Sequence, residues 1–516
     1  MVACDWTGDT CPRLADALPA LNRGGRLVAA VDALPVCSAE SLRSEPQLRR
    51  AYIVLCQLLH SYVHHPNVPW ERLDPHAPLP PPSSTSFDSG VRRVPRQLAV
   101  PLLEVCARLG LPPVLTAAVD LWNWRRRRPG DLGKEEDGGR GQGVQAAGAL
   151  RLDDLEIVST MTGTDTEKYF HLVPCAIQAC LGPVVVAMYL APNRLFAPLI
   201  SSHSSGMGEV SAEVAAAVEE STSLFRQVRG AMTEAIKVLE MIPSRVDPDI
   251  FYDVYRPLLA GFYPDGVCFE MGETQTHTDL GPESESPPWV KGGWGMGGFL
   301  VHPKGPSAGQ SAVFILLDLF LGVKHKGEPK QFQEEMSDHY LPRPHRELIT
   351  HFRQLVRQHG SAASLVSHFR RRREQVRGWL VGAGWSRGGE GGAQGGGGGG
   401  GERWEGEGRT KGEGSRVGGE RQGGEGGGNR YVTMTLCQEY EACVGALSDF
   451  RKAHMRIAVS YLSRTATGTG SSSFKEMLAT FSTDTRALLK REGPGERTGG
   501  GGELAEAGQG AETCTQ

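Results

Sequence analysis

The sequence predicts a helical fold class, and three stretches carry that prediction. Between Leu436 and Leu462, residues Leu436, Tyr440, Cys443, Leu447, Phe450, His454, Ile457 and Tyr461 recur three or four apart and fall on one helical stripe. Arg49 to Tyr62, RRAYIVLCQLLHSY, is a second apolar helix, and Ser211 to Met241 is a third, long one. Against these stands a single short β-like piece, LEIVSTMTG, after Leu152.

Length and composition bound the rest. At 516 residues the chain exceeds the roughly 250–300 at which single cores stop growing, so two domains with non-globular ballast are expected. Hydrophobic residues make up 39% and charged residues 22%, the balance of a soluble protein, and a formal net charge of -4 provides no basic field for nucleic acid or anionic lipid. The eleven cysteines include no CxxC pair, which argues against a zinc knuckle or a thioredoxin-like centre. Several lie in apolar helical patterns, as buried thiols do in a reducing compartment. No basic, then apolar, leader opens the chain, and no run approaches about 18 uninterrupted apolar residues. The expectation is a cytoplasmic protein with no nucleic-acid or membrane partner.

Taken in order, the chain is helical with proline punctuation from Leu14 to about Trp124, including Leu98 to Leu109 and Val114 to Trp124. Pro66 to Arg96, rich in Pro and Ser, is expected to be an extended connector. His60, His64 and His65 have metal-like spacing, but no acidic partner accompanies them and the helix breaks at Pro66, so a structural role is expected. Arg125 to Arg128 is expected to be a solvated helix end whose cations offset the C-terminal dipole, and the following Gly-rich stretch marks a domain boundary near 150.

In the second part, Asp247 or Asp249 is a candidate cap for DPDIFYDVYRPLLAGF, with Pro248 in the first turn. Arg256, among Phe251, Tyr252 and Tyr255, is either a snorkelling surface cation or an anion clamp. The loop VKGGWGMGGFLVHPKGPSAGQS feeds the apolar helix AVFILLDLFLGV. It has neither phosphate-binding pattern, so its glycines point to close approach of backbone to a flat ligand. Residues 386–428 and the tail 492–516 are Gly-rich, too poor in apolar surface to offset the entropy of ordering, and are expected to be disordered. His454 stands alone in its apolar stripe, with no carboxylate one turn away on that stripe. It is either a satisfied core residue or a metal ligand through one ring nitrogen.

Four segments in this order resemble the indoleamine 2,3-dioxygenase family, haem enzymes of tryptophan catabolism. They are RQLAVPLLEVCARLGLPPVLTAAVDLWNW (Arg96 to Trp124), GPSAGQSAVFILLDLFLGV (Gly305 to Val323), YLPRPHR (Tyr340 to Arg346) and EYEACVGALSDFRKAHMRIAVSYL, with weaker matches at YFHLVPCAIQA, FYDVYRPLLAGF and RRAYIVLCQLLHSYVHHP. The resemblance implies an all-α protein. A small amino-terminal helical domain (1–150) caps a larger haem-binding helical domain (151–385 and 429–491) that is interrupted by the insertion at 386–428. It also implies a monomer that binds haem b, takes O2 as co-substrate and depends on an external reductant.

His454 matches the family's proximal iron ligand, and Arg451 a position beside the haem edge, where a guanidinium would pair with a propionate or a neighbouring acid. Ser307 and Ala308 match a loop over the haem, and Pro174 a position above it. Phe170, Phe251 and Tyr252 match aromatic pocket positions, Arg256 the residue that binds a substrate carboxylate, and Thr469 a mobile loop that closes on substrate. An indole ring needs flat apolar walls and an amino-acid carboxylate needs a forked cation, so the set is chemically coherent. The expected reaction opens the indole C2–C3 bond of L-tryptophan or a related indoleamine to give N-formylkynurenine.

This chain departs from the family pattern in three places. Pro174 replaces a serine or histidine, Pro306 replaces a glycine, and a tyrosine between Thr116 and Ala117 is missing. A haem-binding gas sensor or carrier without turnover is the competing expectation, and a helical scaffold the third.

Overall fold

The computed structural model describes residues 10–73, 92–127, 150–201, 212–262, 264–271, 298–371, 426–462 and 474–489. Helices α1 (Thr10–Arg23), α2 (Leu27–Asp32) and α3 (Glu45–His64) open the fold. The side chain of Gln47 turns back to accept from Ser44 N at 3.0 Å, satisfying a donor at the start of α3. Nearly every residue from Leu48 to His64 is buried, so α3 is a central helix rather than a surface one.

His60, His64 and His65 hold backbone, not metal. His60 Nε2 accepts from Leu115 N at 2.8 Å, which leaves Nδ1–H to donate to Leu258 O at 2.8 Å. His64 and His65 contact Ala260 O and Asn22 O at 2.9 and 2.8 Å.

Strand β1 (Arg92–Val94) emerges where a connector was expected, and α4 (Arg96–Leu109) follows. Helix α4 stops at Gly110, whose φ of 68° only glycine adopts freely, and the Arg346 guanidinium donates to Gly110 O at 2.5 Å and Leu341 O at 2.6 Å.

The helix expected from Val114 to Trp124 shrinks to α5 (Ala118–Trp122). Arg125 and Arg126 are not a helix end. They lie in β2 (Trp124–Arg126), antiparallel to β3 (Leu155–Ile157), with Arg125 paired to Glu156 across the ladder at 2.8 Å.

The larger body begins with α6 (Asp165–Ala191), capped by Thr164 Oγ1 accepting from Glu167 N at 3.2 Å. Helix α6 runs on through a wide π-type turn, Pro192–Phe196, into α7 (Ala197–Ser201), and α8 (Ala212–Leu239) packs along it. After α9 (Ile242–Arg245), Asp247 is the cap that forms, its Oδ1 accepting from Asp249 N and Ile250 N at 2.9 and 2.8 Å. It opens a second π-type turn, Ile250–Tyr255, which leads into α10 (Arg256–Leu259).

Strand β4 (Val267–Glu270) pairs parallel with β1 and antiparallel with β5 (Gly298–Val301). Then come α11 (Ala312–Leu321), α12 (Gly327–His339), α13 (Arg343–His359), α14 (362–371), the long α15 (Gly426–Tyr461) and α16 (Phe474–Ala487). The architecture is all-α with short strand ornaments.

Two hydrophobic cores result. The first gathers α1 to α5 and recruits Val254, Tyr255, Phe269 and Tyr461 from later in the chain; the second is built on α6, α8, α11, α13 and α15. Tyr169, Ile242 and Ile457 pack against both cores and mark the seam between them. One helix, Asp165–Ser201, is long and apolar enough to cross a membrane by length and composition. Its packing against α8 and α11 in the second core covers part of that apolar surface, while Val186 and Leu190 stay exposed. Seven described cysteines carry free thiols, four of them on α6 and α15, whereas Cys37 is disulfide-bonded.

Candidate active site

Helix α15 presents its stripe to both cores, and the burial along that stripe is uneven. Leu436, Tyr440, Cys443 and Leu447 are 0–1% exposed, Phe450 is 7% and Tyr461 is 8%, whereas His454 and Ile457 between them keep accessible surface. A closed apolar stripe therefore opens at one point, and an imidazole stands there. Burial is deep enough to lower the pKa of His454, so the ring is neutral at physiological pH. Among the described residues nothing hydrogen-bonds it. A neutral imidazole with an uncommitted lone pair at a gap in packed protein is what a buried iron ligand requires.

The ends of this part of α15 are fixed from both sides. Tyr461 donates to Val246 O at 2.6 Å and meets the ring of Phe251 edge-on at 5.7 Å. Tyr461 lies seven residues after His454, about 10 Å along the axis on the same face. The His454 face is thereby directed at the segment that carries the aromatic candidates.

On the other side, Arg451 is not turned to open space. Both oxygens of Asp318 on α11 take its guanidinium at 2.7 Å, and Thr485 on α16 completes the clamp. The neighbouring acid expected for Arg451 is Asp318. Burial alone would raise the pKa of Asp318, but Arg451 and His325 outweigh it and hold the carboxyl below its usual range. His325 bridges Asp318 at 3.0 Å and Asp484 at 2.9 Å, tying α11, α15 and α16 together one turn before His454.

The aromatic candidates do come together. Phe170 on α6 and Phe251 lie 5.0 Å apart between ring centroids, and Tyr255 packs edge-on against Phe170 at 5.5 Å. Phe170 and Tyr252 are half-buried, beside buried His171 and Phe251. The Arg256 guanidinium lies 5.7 Å from the Tyr252 ring centroid, half-buried, and desolvation lowers its pKa without discharging it.

Pro174 sits one turn beyond Phe170, within α6 and half-buried, and its missing N–H leaves the Phe170 carbonyl without the usual helical donor.

The Gly305–Ser311 loop is held beside this segment by backbone contacts. Phe262 N donates to Pro303 O at 2.8 Å, and a Cβ on Gly261 would stand 2.6 Å from that oxygen. Gln310 Oε1 accepts from Ala117 N at 2.8 Å, so the stretch shortened beside Thr116 is what anchors the loop. Ser307 caps the single turn Ala308–Gln310, with Ala308 exposed. Thr469 lies outside the described residues, as do the 386–425 part of the Gly-rich insertion and the tail. Two surface hollows of about 500 and 290 Å³ flank α15, and His454 lines neither.

The sequence reading missed the polar residues that fix these elements. Asp318, His171 and Asp120 each sit inside an apolar run, and a lone charge in such a run is the signal of a buried pair.

Comparison with known proteins adds the following. The family model described as indoleamine 2,3-dioxygenase matches residues 10–375. Mouse indoleamine 2,3-dioxygenase 1 is 27% identical over 346 residues, covering 65% of each chain. Human indoleamine 2,3-dioxygenase 2 is 26% identical over 342 residues, also covering 65% of each. A 6-hydroxytryptophan 2,3-dioxygenase of Fusarium equiseti is 24% identical over 347 residues, again with 65% of each covered. The chain thus spans about 65% of the length of these relatives. The family match ends before α15, so the place of His454 rests on the geometry above.

Proposed function

The chain belongs to the indoleamine 2,3-dioxygenase family, and from that premise we propose that it is a haem-dependent dioxygenase of L-tryptophan or a closely related indole. The product is N-formylkynurenine or its ring-substituted analogue. The observation that carries this reading is the gap in the α15 stripe, with neutral, uncommitted His454 at its edge.

When bound, haem supplies the activation of dioxygen, and the protein supplies placement and electrostatics. His454, through one ring nitrogen, would hold its iron. Phe170, Phe251 and Tyr252 give an indole flat apolar walls, and Arg256 offers a forked cation to the amino-acid carboxylate. Tyr461 and the Asp318 clamp on Arg451 hold the helix on which His454 rides.

The test is a haem titration of the full chain followed by anaerobic reduction and addition of O2 with L-tryptophan or 6-hydroxytryptophan. A Soret band, lost in His454→Ala, and growth of N-formylkynurenine absorbance are expected. Haem-loaded protein that gives no product with either indole would sink the reading.

A second reading, a haem protein that binds gas without turning over an indole, draws on Pro174 and Pro306. Both remove a donor from the substrate side while the His454 side stays intact. Loaded protein whose Soret band responds to O2 and to neither indole would favour it.

A further inference from the structure

Behind the aromatic wall lies a chain of three polar side chains that the proposed reaction does not use. Asp120 on α5 takes the Nδ1 of His171 at 2.6 Å, and the Nε2 of His171 meets the hydroxyl of Tyr255. These residues come from three elements and bridge the two cores: α5 belongs to the first, α6 to the second, and Tyr255 ends the π-type turn that carries Phe251.

Burial deepens along the chain. The Asp120 side chain is 15% exposed, that of His171 is 7%, and Tyr255 is 0%. Solvent therefore reaches one end only. At the other end Tyr255 packs against Phe170 at 5.5 Å and Phe251 at 6.3 Å, while His171 is the residue next to Phe170 with its ring 5.8 Å away.

We infer that Asp120, His171 and Tyr255 form a buried proton relay that positions the Phe170–Phe251 wall, so that one proton at His171 sets how firmly the wall grips an indole. The inference rests on the dioxygenase reading for the identity of the ligand.

The two states differ in the direction of one hydrogen bond. With His171 neutral, Nδ1–H donates to Asp120 and Nε2 accepts from the Tyr255 O–H, so every polar hydrogen is used. With His171 protonated, Nε2–H donates to the Tyr255 oxygen. The phenolic hydrogen must then turn away, and the described residues offer it no other acceptor. Tyr255 then stays bonded to His171 as acceptor only, and its unpaired, buried phenolic hydrogen disfavours its present position and that of the rings packed on it.

The groups facing His171 set where this exchange falls. They are Asp120 from α5, Tyr255 from the turn, and Glu167 and Cys175 from α6 itself. Burial lowers the pKa of His171, but Asp120 and then Glu167 outweigh it and raise it above the ordinary value. The Glu167 carboxylate is already engaged by Met161 N at 2.7 Å and by Thr162 N and Oγ1 at 2.7 and 2.6 Å, which leaves Asp120 as the group that trades protons with solvent.

These are positioning residues, and the test reads a pH profile. Haem-loaded ferric protein is titrated with L-tryptophan from about pH 5.5 to about 9, a span that brackets the histidine range, and the Soret shift gives Kd. The native protein should bind about threefold to tenfold more weakly on the acid side, the factor one neutral hydrogen bond is worth. In Tyr255→Phe the step should vanish and Kd stay at the acid value. In Asp120→Asn the step should move to lower pH, because the counter-charge that holds the proton is gone. A flat native profile, or a step unmoved in both variants, overturns the relay.

Hydrogen exchange of residues 169–175 and 250–255 in the same proteins, corrected for the intrinsic pH dependence, keeps the two readings apart. If tryptophan gives no Soret response at any pH, the dioxygenase reading falls. A native protection step that moves in Asp120→Asn and disappears in Tyr255→Phe then still supports the relay, and identical exchange in all three proteins overturns it.

Discussion

Among the described histidines, the neighbours of each ring decide its use. His60 and His64 are boxed in by apolar packing and by each other's rings, and burial pushes their pKa down to about 3 and about 4. A base whose folded pKa lies below its unfolded value binds protons more readily unfolded. Stability is therefore full above the unfolded value of about 6.5 and is lost as pH falls toward the folded pKa. Thermal unfolding should show Tm falling from about pH 6.5 to about 4, with at most about 1.4 kcal/mol lost per pH unit per histidine. His64→Gln, which keeps a donor for Ala260 O and cannot titrate, should flatten that slope; an unchanged slope would contradict the assignment. Arg256 is charged throughout this range, since desolvation lowers a pKa that begins at 12.5. Charge-assisted hydrogen bonds are worth about 1.5–3 kcal/mol, so Arg256→Ala should raise KM for tryptophan about tenfold to a hundredfold with a smaller change in kcat. Arg256→Lys should recover only part of that, because an ammonium has no fork. Steady-state kinetics would show otherwise if kcat fell as far as KM rose.

Elements in this fold are placed by single polar contacts, and these are the least legible in a sequence. The long helices follow from apolar periodicity, so α3, α8 and α15 are readable from the chain alone. The strands β1, β4 and β5, three or four residues each, are not, because only their pairing partners far along the chain define them. In the same way the His454 stripe and the aromatic run from Phe251 announce themselves, but the partner of Arg451 does not. The choice between a propionate and a neighbouring acid depends on where α11 lies. With Asp318 3% exposed, the Arg451 pair is a buried one, and removing one member leaves an uncompensated charge. Asp318→Ala should destabilise the protein by about 3–5 kcal/mol and weaken haem retention. The double replacement of Asp318 and Arg451 by leucine should be the milder change. Chemical denaturation of the three proteins decides it, and a double variant worse than Asp318→Ala would refute the reasoning. Gly261 acts at the same scale. A Cβ there would collide with Pro303 O and the backbone of Lys304 and Gly305, so Gly261→Ala should displace the Gly305–Ser311 loop and lower affinity for the indole more than for haem.

At the scale of the whole molecule, the candidate site lies where two hydrophobic cores meet. Tyr169, Ile242 and Ile457 pack against both cores, and the residue one turn before Ile457 is His454. A cofactor seated there touches both bodies, and its binding free energy stabilises them together. The family match covers residues 10–375 and leaves α15 outside, yet α15 contributes Tyr461 to the first core and Leu436 through Ala453 to the second. Ligand that binds only the folded state adds RT ln(1 + [L]/Kd), about 2.7 kcal/mol at a hundredfold excess over Kd. For a chain of this size that corresponds to a rise in Tm of several degrees. Haem should therefore raise Tm in a single transition that includes both cores, as read by far-ultraviolet circular dichroism and by tryptophan fluorescence, which samples the first core through Trp70 and Trp122 and the second through Trp124. The shift should be absent in His454→Ala. Two separated transitions, of which haem moves one, would place the cofactor within a single core and not at the seam.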